Sequence, residues 1–315
     1  MRKTVKKNKI IPAVYLLLIV FLTQAQAQTN KGFSLTVEPV FQYRKSTIGE
    51  YVFFEEESEV KLLSDLQWSL DRVLLAGFSL AYEKNRFTSS CTALFGFPGS
   101  AGTMTDSDFY TSSPEPTLFS SHEAVITSLL DVFISTGYTI VQDEKVEINC
   151  FAAAHYNETG ASSYDGYLIN RLYTVPVVQN FTGQIISYTQ YLLFVWIGSE
   201  WRIQPAEPFM VTFSMAYSPF CYAKGWDIHH LRKVEFLDSM KSFYSFKGGV
   251  KAALFFTKAL SMNIGVEGIF LPLIKGVTGT KQEGGNAFFE QSGYLGGTSL
   301  SEARFTASVS YKFSR

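Results

Sequence analysis

Four residues of the chain, arranged in two pairs, could together activate a water molecule. Asp106 and Asp108 are separated by one residue, and so are Asp227 and His229. In an extended segment residues i and i+2 point the same way, so the members of each pair project together. Two close carboxylates repel, which raises the pKa of one of them, and a carboxylate beside a histidine holds the ring in one tautomer. A water between the two pairs would face a base and an acid, which is the chemistry of hydrolysis without a covalent intermediate.

The start of the sequence predicts export. Residues 1–9 carry five basic side chains and no acid, residues 10–22 form an apolar run, and Ala25-Gln26-Ala27 has the small-x-small pattern of a signal peptidase site. We therefore expect residues 1–27 to be a secretory signal peptide. Residues 28–315 would then form the mature domain.

The composition of the mature chain restricts its class and its partners. Without the five basic residues of the signal peptide, 22 of the 27 basic residues remain against 28 acidic ones, which argues against a nucleic-acid partner. Aromatic residues make up 16% of the chain and charged residues only 17%. No mature segment reaches the ~18–20 apolar residues of a transmembrane helix. This composition fits an outer-membrane β-barrel, and it fits a secreted β-sandwich equally well.

Three cysteines, Cys91, Cys150 and Cys221, make an odd number, which excludes a complete disulfide framework in an exported protein. The sequence contains no CxxC and no metal-ligand spacing, so neither a metal ion nor a cofactor is predicted. It also lacks the GxSxG, HExxH and P-loop motifs of other hydrolases. His122 and His155 are interpreted as residues that fill a loop or the wall.

Alternation of apolar and polar residues predicts ten strands. They cover residues 32–44, 60–70, 73–82, 124–138, 145–156, 187–201, 209–222, 242–256, 259–270 and 304–313. Short connections, among them a tight turn at Asp71-Arg72, alternate with long polar passages such as residues 85–122 and 157–184. Outer-membrane barrels show this asymmetry, and a sandwich gives no reason for it. We therefore predict an all-β fold, a ten-stranded antiparallel transmembrane β-barrel with long extracellular loops.

Counting strands places both acidic pairs on one face of that barrel. The chain starts and ends inside the cell envelope, so every connection after an odd-numbered strand lies outside. The Asp106/Asp108 pair sits on the long loop after strand 3, and Asp227 and His229 follow strand 7. In a ten-stranded ring these strands lie on opposite walls, so the pairs would face each other across the mouth.

Several short stretches carry a resemblance to a known family. Residues 102–109 (GTMTDSDF) are similar to the run GNMxDxDW, residues 186–190 (ISYTQ) to IGYxQ, and residues 112–114 and 121–122 to the loop that follows the first run. Asp227-x-His229 stands where an Asp–His dyad is expected. With these motifs the chain resembles the omptins, ten-stranded outer-membrane proteases of Gram-negative bacteria, over nearly the whole mature sequence.

The resemblance implies an endopeptidase in the cell outer membrane that cuts extracellular polypeptides, and it allows a preference for basic residues beside the cut bond. Asp106 and His229 would hold the attacking water, Asp108 would partner Asp106, and Asp227 would orient His229. Glu50 matches an acid on the first outer loop of omptins that helps to bind a basic side chain before the cut bond.

Two departures from the omptin pattern are visible. The second specificity acid of omptins is replaced by Gly225, which should weaken or broaden a preference for Arg or Lys. The two arginines with which omptins grip lipopolysaccharide phosphates are replaced by Gly160 and Tyr191, which argues against a dependence on that lipid. Outer-membrane lipid and polypeptide substrates are the expected partners, and we expect a monomer. The alternatives are a non-enzymatic barrel that acts as an adhesin or porin-like scaffold, and a secreted soluble β-protein.

Overall fold

Twelve antiparallel strands make up the computed structural model, which describes residues 32–56, 59–111, 113–282, 284–285 and 287–314. The strands are β1 (Phe33–Glu56), β2 (Glu59–Lys84), β3 (Phe87–Gly96), β4 (Gly99–Asp108), β5 (Leu118–Gln142), β6 (Val146–Asn170), β7 (Val177–Ala206), β8 (Phe209–His229), β9 (Val234–Ser242), β10 (Phe246–Phe255), β11 (Leu260–Gln282) and β12 (Phe289–Ser314). Within these ranges no helix is long and apolar enough to cross a membrane. The predicted signal peptide lies outside the described residues.

The sheet closes on itself because β1 pairs with both β2 and β12. Strands β3 and β4 follow each other along one line between β2 and β5. In the same way β9 and β10 share the line between β8 and β11. Each of these two pairs therefore fills a single position in a closed antiparallel barrel.

The ten predicted strands differ from the twelve in the structure at three places, one of which is β9, since its residues before Ser242 are predicted as an exposed passage. Residues 60–70 and 73–82 form one continuous strand, β2, and no turn occurs at Asp71-Arg72. Instead, these two residues lie opposite Lys45 alone, between the pairs Arg44–Val73 and Ser46–Leu70, which is a β-bulge. The passage 85–122, predicted as a loop, contains β3 and β4.

The predicted long loops are for the most part wall. Strands β6, β8, β11 and β12 extend far into the polar passages, so that the connections at one end of the barrel shrink to residues 109–117, 171–176, 230–233 and 283–288. At the other end the connections span residues 85–86, 143–145, 207–208 and 256–259. Polar residues do not mark loops here, because a barrel interior accepts polar side chains along its whole length.

The outer surface carries an apolar band on the half of the barrel in which β1 begins and β12 ends. Its exposed side chains include Phe41, Leu74, Phe78, Phe213, Met215, Val250, Ile264, Val266, Phe305 and Val309. Exposed aromatic side chains flank the band on both sides, with Tyr43, Tyr217, Phe246 and Phe270 towards the longer connections and Trp201, Phe209, Tyr311 and Phe313 at the other margin. Apolar surface between two aromatic girdles is typical of barrels that lie in a membrane.

Irregular pairings encircle the barrel at the upper margin of this band, and we call them the bulge ring. Its members are the bulge opposite Lys45, the break between β3 and β4 at residues 97–98, the register shifts between Ile126 and Ser128, between Val195 and Ile197 and between Leu271 and Ile274, and the break between β9 and β10 at residues 243–245. Backbone hydrogen bonds from Phe97 to Leu74 and from Ser218 to Ser245 join neighbouring strands at the two breaks. The bulge ring separates the apolar band from the half of the wall that ends at the longer connections.

Buried polar side chains fill the lumen within the apolar band. Asp131 Oδ2 accepts hydrogen bonds from Arg44 Nη2 and Arg304 Nη2, both at 2.8 Å, and from Asn157 Nδ2 at 2.9 Å. His155 Nε2 lies 3.1 Å from the same oxygen. We call these five residues the Asp131 network. Since they come from β1, β5, β6 and β12, the network ties opposite walls together across the lumen.

A second layer closes the lumen nearer to the longer connections. The rings of Trp68 and Tyr188 stack with centroids 5.7 Å apart, and Gln190 Nε2 donates to Thr298 Oγ1 at 2.9 Å. We call these four residues the floor. Because β2 and β12 contact β7 through them, the barrel beyond the floor is a cleft that opens only at the rim.

Candidate active site

Asp106 and Asp108 lie at the end of strand β4, not on a long loop as predicted. Asp106 is directly opposite Leu66 of β2, and Asp108 is opposite Ser64. Ser64 Oγ donates a hydrogen bond to Asp106 Oδ1 at 3.2 Å. Gly102 lets β4 approach β2 this closely, because a Cβ there would lie 1.9 Å from the carbonyl oxygen of Ser69. The pairing with β2 therefore fixes the direction of both carboxylates.

The Asp227/His229 pair occupies the corresponding end of β8. His229 Nε2 lies 2.7 Å from Asp227 Oδ2, and the carboxylate is almost completely buried. The ring of Phe236, on β9, meets the imidazole edge-on with centroids 5.2 Å apart. Packing on one side and a hydrogen bond on the other hold the imidazole in one orientation.

The two pairs face each other from opposite walls of the cleft, at the same end of the barrel, as the sequence predicts. Three strands, β5, β6 and β7, separate β4 from β8 along the shorter way round. Arg232, in the short connection after β8, places Nη2 3.6 Å from Asp108 Oδ2. The cleft is therefore narrow enough for one side chain to span it.

The electrostatics of the cleft shift the pKa of one residue in each pair, Asp106 and His229. Burial raises the pKa of Asp106 to about 7, and the negative charge of Asp108 adds to the rise, against smaller opposing effects of His229 and Arg232. Burial by itself lowers the pKa of His229, but the charge and hydrogen bond of Asp227 outweigh it and raise that pKa above its ordinary value. Groups poised in this way near neutral pH suit general acid–base chemistry.

Glu50 lies in the wall, on β1, and not on an outer loop as its omptin counterpart suggested. It is 5% exposed, and its position opposite Leu66 puts it two strands away from Asp106 in the same row. Burial raises the pKa of Glu50 well above its usual range, and the charges of Asp227 and Asp238 raise it further. Glu50 thus shares the cleft with the predicted catalytic residues.

Asp238 is an acid of the cleft that the sequence did not single out. It lies on β9 directly opposite Gly225 and is 5% exposed. Burial raises its pKa to about 7, opposed by a hydrogen bond with Thr278 and supported by the charge of Asp227. No spacing signal could have found it, because its place depends on the register of the β8–β9 hairpin.

The outer wall region that corresponds to the lipid-binding site of omptins holds few charges. Tyr156 donates a hydrogen bond to Glu158 at 2.8 Å, and the ammonium group of Lys224 lies 5.8 Å from the centre of the Tyr191 ring. Among the described residues no group of three or more His, Cys, Asp or Glu could hold a metal ion. The three cysteines form no disulfide bond.

A closed antiparallel barrel whose rim holds a carboxylate pair opposite an Asp–His dyad defines the class of outer-membrane barrel proteases. The family model described as the omptin family matches residues 38–313, so the chain belongs to the omptins. Membership places the protein in the cell outer membrane, among peptidases.

Comparison with solved structures finds the same fold. The chain is similar to the outer membrane protease OmpT from Escherichia coli, with 17% identity over 91% of this chain and 99% of that one and a TM-score of 0.81. The outer membrane protein OprG from Pseudomonas aeruginosa (7% identity, 90% and 96% coverage) and the translocator domain of the autotransporter NalP from Neisseria meningitidis (8%, 96% and 96%) give TM-scores of 0.37 and 0.33, too low to support an argument. A comparison with curated protein sequences gave no match.

Proposed function

We propose that this omptin is an endopeptidase that hydrolyses peptide bonds of extracellular polypeptides with a water molecule held between Asp106 and His229. The observation that carries the proposal is the meeting of two separate pairs, Asp106/Asp108 and Asp227/His229, across a cleft open only at the rim. A substrate strand that enters from outside would lie between the two walls. Its scissile carbonyl would then be within reach of the water.

The proposed reaction uses His229 as the base. Its Nε2–H group donates a hydrogen bond to Asp227 Oδ2, which leaves Nδ1 as the proton acceptor. As the water oxygen bonds to the carbonyl carbon, its proton passes to His229. The C–N bond then breaks, and the leaving amine takes that proton. Asp106 positions the water, and burial together with the charge of Asp108 keeps the pKa of Asp106 raised.

The apolar band gives the orientation in which this site would work. With the band across the bilayer, the bulge ring lies at one interface of the membrane. The half of the barrel that carries the site then rises above that interface. From Phe41 to Glu50 the strand covers about 30 Å at about 3.3 Å per residue. The cleft would therefore stand clear of the lipid and meet polypeptides at the cell surface.

We do not expect the proteolytic activity to depend on lipopolysaccharide. Only Lys224 of the outer-wall residues described above is a cation, and a single ammonium group is a poor substitute for the two guanidinium groups of other omptins. We expect the refolded protein in detergent to have the same activity with and without added lipopolysaccharide.

The test is cleavage of quenched fluorescent peptides containing Arg or Lys by the refolded protein. Wild type should cleave them, while Asp106→Asn and His229→Ala should each lower kcat/KM about 100-fold or more. The control is Asp143→Asn, in the exposed turn between β5 and β6 at the opposite end of the barrel, which should behave like wild type.

The same variants distinguish the protease from a surface scaffold. An adhesin would retain binding to cells or matrix in all three variants and would cleave none of the peptides. If wild type leaves a varied peptide set intact in several lipids and detergents, the proposed function is wrong. The refolded state is checked by the mobility of unheated samples on gels.

A further inference from the structure

We propose that Asp238 is a specificity-determining residue, which forms with Glu50 an anionic pocket for an arginine or lysine side chain beside the cut bond. The inference deepens the proposed function and rests on it for the identity of the substrate. It restores to this chain, by another residue, the second carboxylate that Gly225 removes.

In this chain the second carboxylate of the pocket lies on the neighbouring strand, β9. Gly225 and Asp238 form a directly opposed pair of the β8–β9 hairpin, and both are buried on the inner face. Cross-strand partners on one face have Cβ atoms only about 5 Å apart. A Cβ at Gly225 would lie 3.3 Å from the ring of Tyr188, so an acid at position 225 would require a shift of that ring. The charge therefore comes from the opposite strand.

Asp238 fits into the wall because its neighbours are small. A Cβ at Gly296, on β12, would lie 2.4 Å from Asp238 Cγ and 2.6 Å from Oδ1. Gly296 is thus the gap through which the Asp238 carboxyl group reaches across β11. Any larger residue there would displace the carboxyl group, so the pocket depends on this glycine as well.

Three carboxyl oxygens of the pocket have no hydrogen-bond partner in the described part of the chain. They are Glu50 Oε2, Asp227 Oδ1 and Asp238 Oδ1, and all three residues are at least 95% buried. A buried acceptor without a partner is costly. Burial without a counter-charge disfavours the ionised form of an acid, and the pKa values of Glu50 and Asp238 are raised accordingly. A cationic side chain with several N–H donors would satisfy these oxygens, and a neutral aliphatic side chain would not.

The nearby cations of the protein have other partners. Arg232 pairs with Asp108, Lys281 lies 2.9 Å from Glu235, and the ammonium group of Lys275 lies 4.0 Å from the centre of the Phe53 ring. None of these contacts involves Glu50 or Asp238. A cationic side chain of the substrate would supply the countercharge with which the carboxyl groups of the pocket ionise.

The floor adds an aromatic surface to the pocket. The charges of Glu50 and Asp238 both act on the hydroxyl group of Tyr188. The ring of Tyr188 stacks on Trp68. A guanidinium group is planar and stacks well on aromatic faces. Carboxylates and an aromatic ring around one space form the chemical complement of an arginine side chain.

The test compares peptides that differ only at the residue before the cut bond, arginine against its neutral isostere citrulline. Wild type should prefer arginine. Asp238→Asn keeps the shape and removes the charge, and it should lower kcat/KM for the arginine peptide about tenfold or more, mainly through KM, because a charged buried hydrogen bond is lost. Cleavage of the citrulline peptide should not fall.

A relocated carboxylate provides the rescue. In the double variant Gly225→Asp/Asp238→Asn the charge returns to the omptin position, with a small shift of Tyr188, and the preference for arginine should recover in part. Asp143→Asn should leave the ratio of the two substrates unchanged. A wild-type ratio in Asp238→Asn would overturn the inference even though the protease itself works.

A binding measurement separates this inference from the proposed function. Fluorescent arginine and citrulline peptides are titrated into Asp106→Asn, with and without the additional Asp238→Asn change. Tighter binding of the arginine peptide that disappears with Asp238→Asn supports the pocket even if wild type cleaves nothing. Equal binding of both peptides before the second change would refute it.

Discussion

Asp227 belongs to two neighbouring arrangements at once. Its Oδ2 accepts the hydrogen bond of His229, while its Oδ1 has no partner among the described residues and its charge raises the pKa of Glu50. One carboxylate therefore both orients the proposed base and contributes to the proposed binding pocket. A substitution at Asp227 should disturb the rate and the binding of basic substrates together, whereas Asp238→Asn should affect binding alone.

Replacing Asp227 with Asn should change the pH dependence of cleavage in a definite direction. The Asp227 carboxylate raises the pKa of His229, and a base must be unprotonated to act. In wild type, kcat/KM should therefore fall as pH drops through a value above the ordinary histidine pKa of 6.5. In Asp227→Asn the fall should move to lower pH, and the plateau should drop about 100-fold because the tautomer is no longer fixed.

The measurement is a pH profile of kcat/KM between pH 5 and pH 9, with Asp143→Asn as the control. Because Asp106 also titrates, with a pKa of about 7, the profile reports values that belong to the coupled groups together. The direction of the shift on removing Asp227 is the diagnostic. An acid limb that stays in place would show that His229 is not the group being titrated.

At the level of strands, the sequence predicts the alternation but not the length of the wall. The i, i+2 spacing of Asp106 and Asp108 and of Asp227 and His229 correctly indicates that each pair projects together, and their common face follows from counting strands. The count of ten equals the number of positions in the wall only because the error at Asp71-Arg72 offset the omission of the strand line inside residues 85–122. Polar lumen-facing residues look like loop residues in a sequence, and only strand pairing distinguishes them.

The same reason explains which site residues the sequence could not reveal. Glu50, Asp106 and the Asp227/His229 dyad lie in short sequence motifs, so they can be recognised from residue type and spacing. Asp238 and Gly296 act only through the pairing of β8 with β9 and of β9 with β11, and a shift of one residue in either register would turn Asp238 to the outer face. Register is a property of the folded wall, so no local pattern encodes it.

Two glycines at the start of β4 allow a matched test of how that strand is positioned. Gly99 and Gly102 share a φ of 157°, but a Cβ at Gly102 would lie 1.9 Å from the Ser69 carbonyl oxygen, while nothing lies within 4 Å of one at Gly99. Gly102→Ala should push β4 away from β2, displace Asp106, and lower both the urea midpoint and kcat/KM about tenfold or more. Gly99→Ala carries the same backbone strain without the clash.

The two variants are compared by urea unfolding followed through tryptophan fluorescence and by peptide cleavage. If Gly99→Ala loses as much activity as Gly102→Ala, backbone strain accounts for the loss, and the close approach of β4 to β2 is not what holds Asp106. If only Gly102→Ala loses activity, the contact with Ser69 is the device that positions the acidic pair.

At the scale of the whole molecule, two layers of side chains close the lumen and favour an enzyme over a pore. The floor and the Asp131 network both cross the lumen, and their central residues Trp68, His155 and Gln190 are at most 1% exposed. A porin needs a continuous water-filled path, and these layers interrupt it twice. The barrel is therefore better suited to hold a cleft rigidly than to conduct solutes.

Removing the centre of the lower layer should be severely destabilising. Asp131→Ala removes one of the two carboxylates that Arg44 and Arg304 share and leaves them Glu302. Breaking a buried ion pair from one side costs about 3–5 kcal/mol. We expect a large fall of the urea midpoint in detergent micelles. Asp143→Ala, at an exposed turn, should unfold like wild type. A midpoint unchanged in Asp131→Ala would mean that Glu302, or water that enters the lumen, compensates the charge of both arginines.

The bulge ring has a consequence for how such proteins diversify. Strand pairing is reset at this level around the barrel, and the lines that carry Asp106 and Asp238 are interrupted there altogether. Changes of register above the ring are thereby isolated from the anchoring part below it. The wall above the ring can therefore be exchanged while the membrane-anchoring part stays the same, so one anchor can carry many specificities. Chimaeras between relatives should be joined at this ring and not at the connections of the rim.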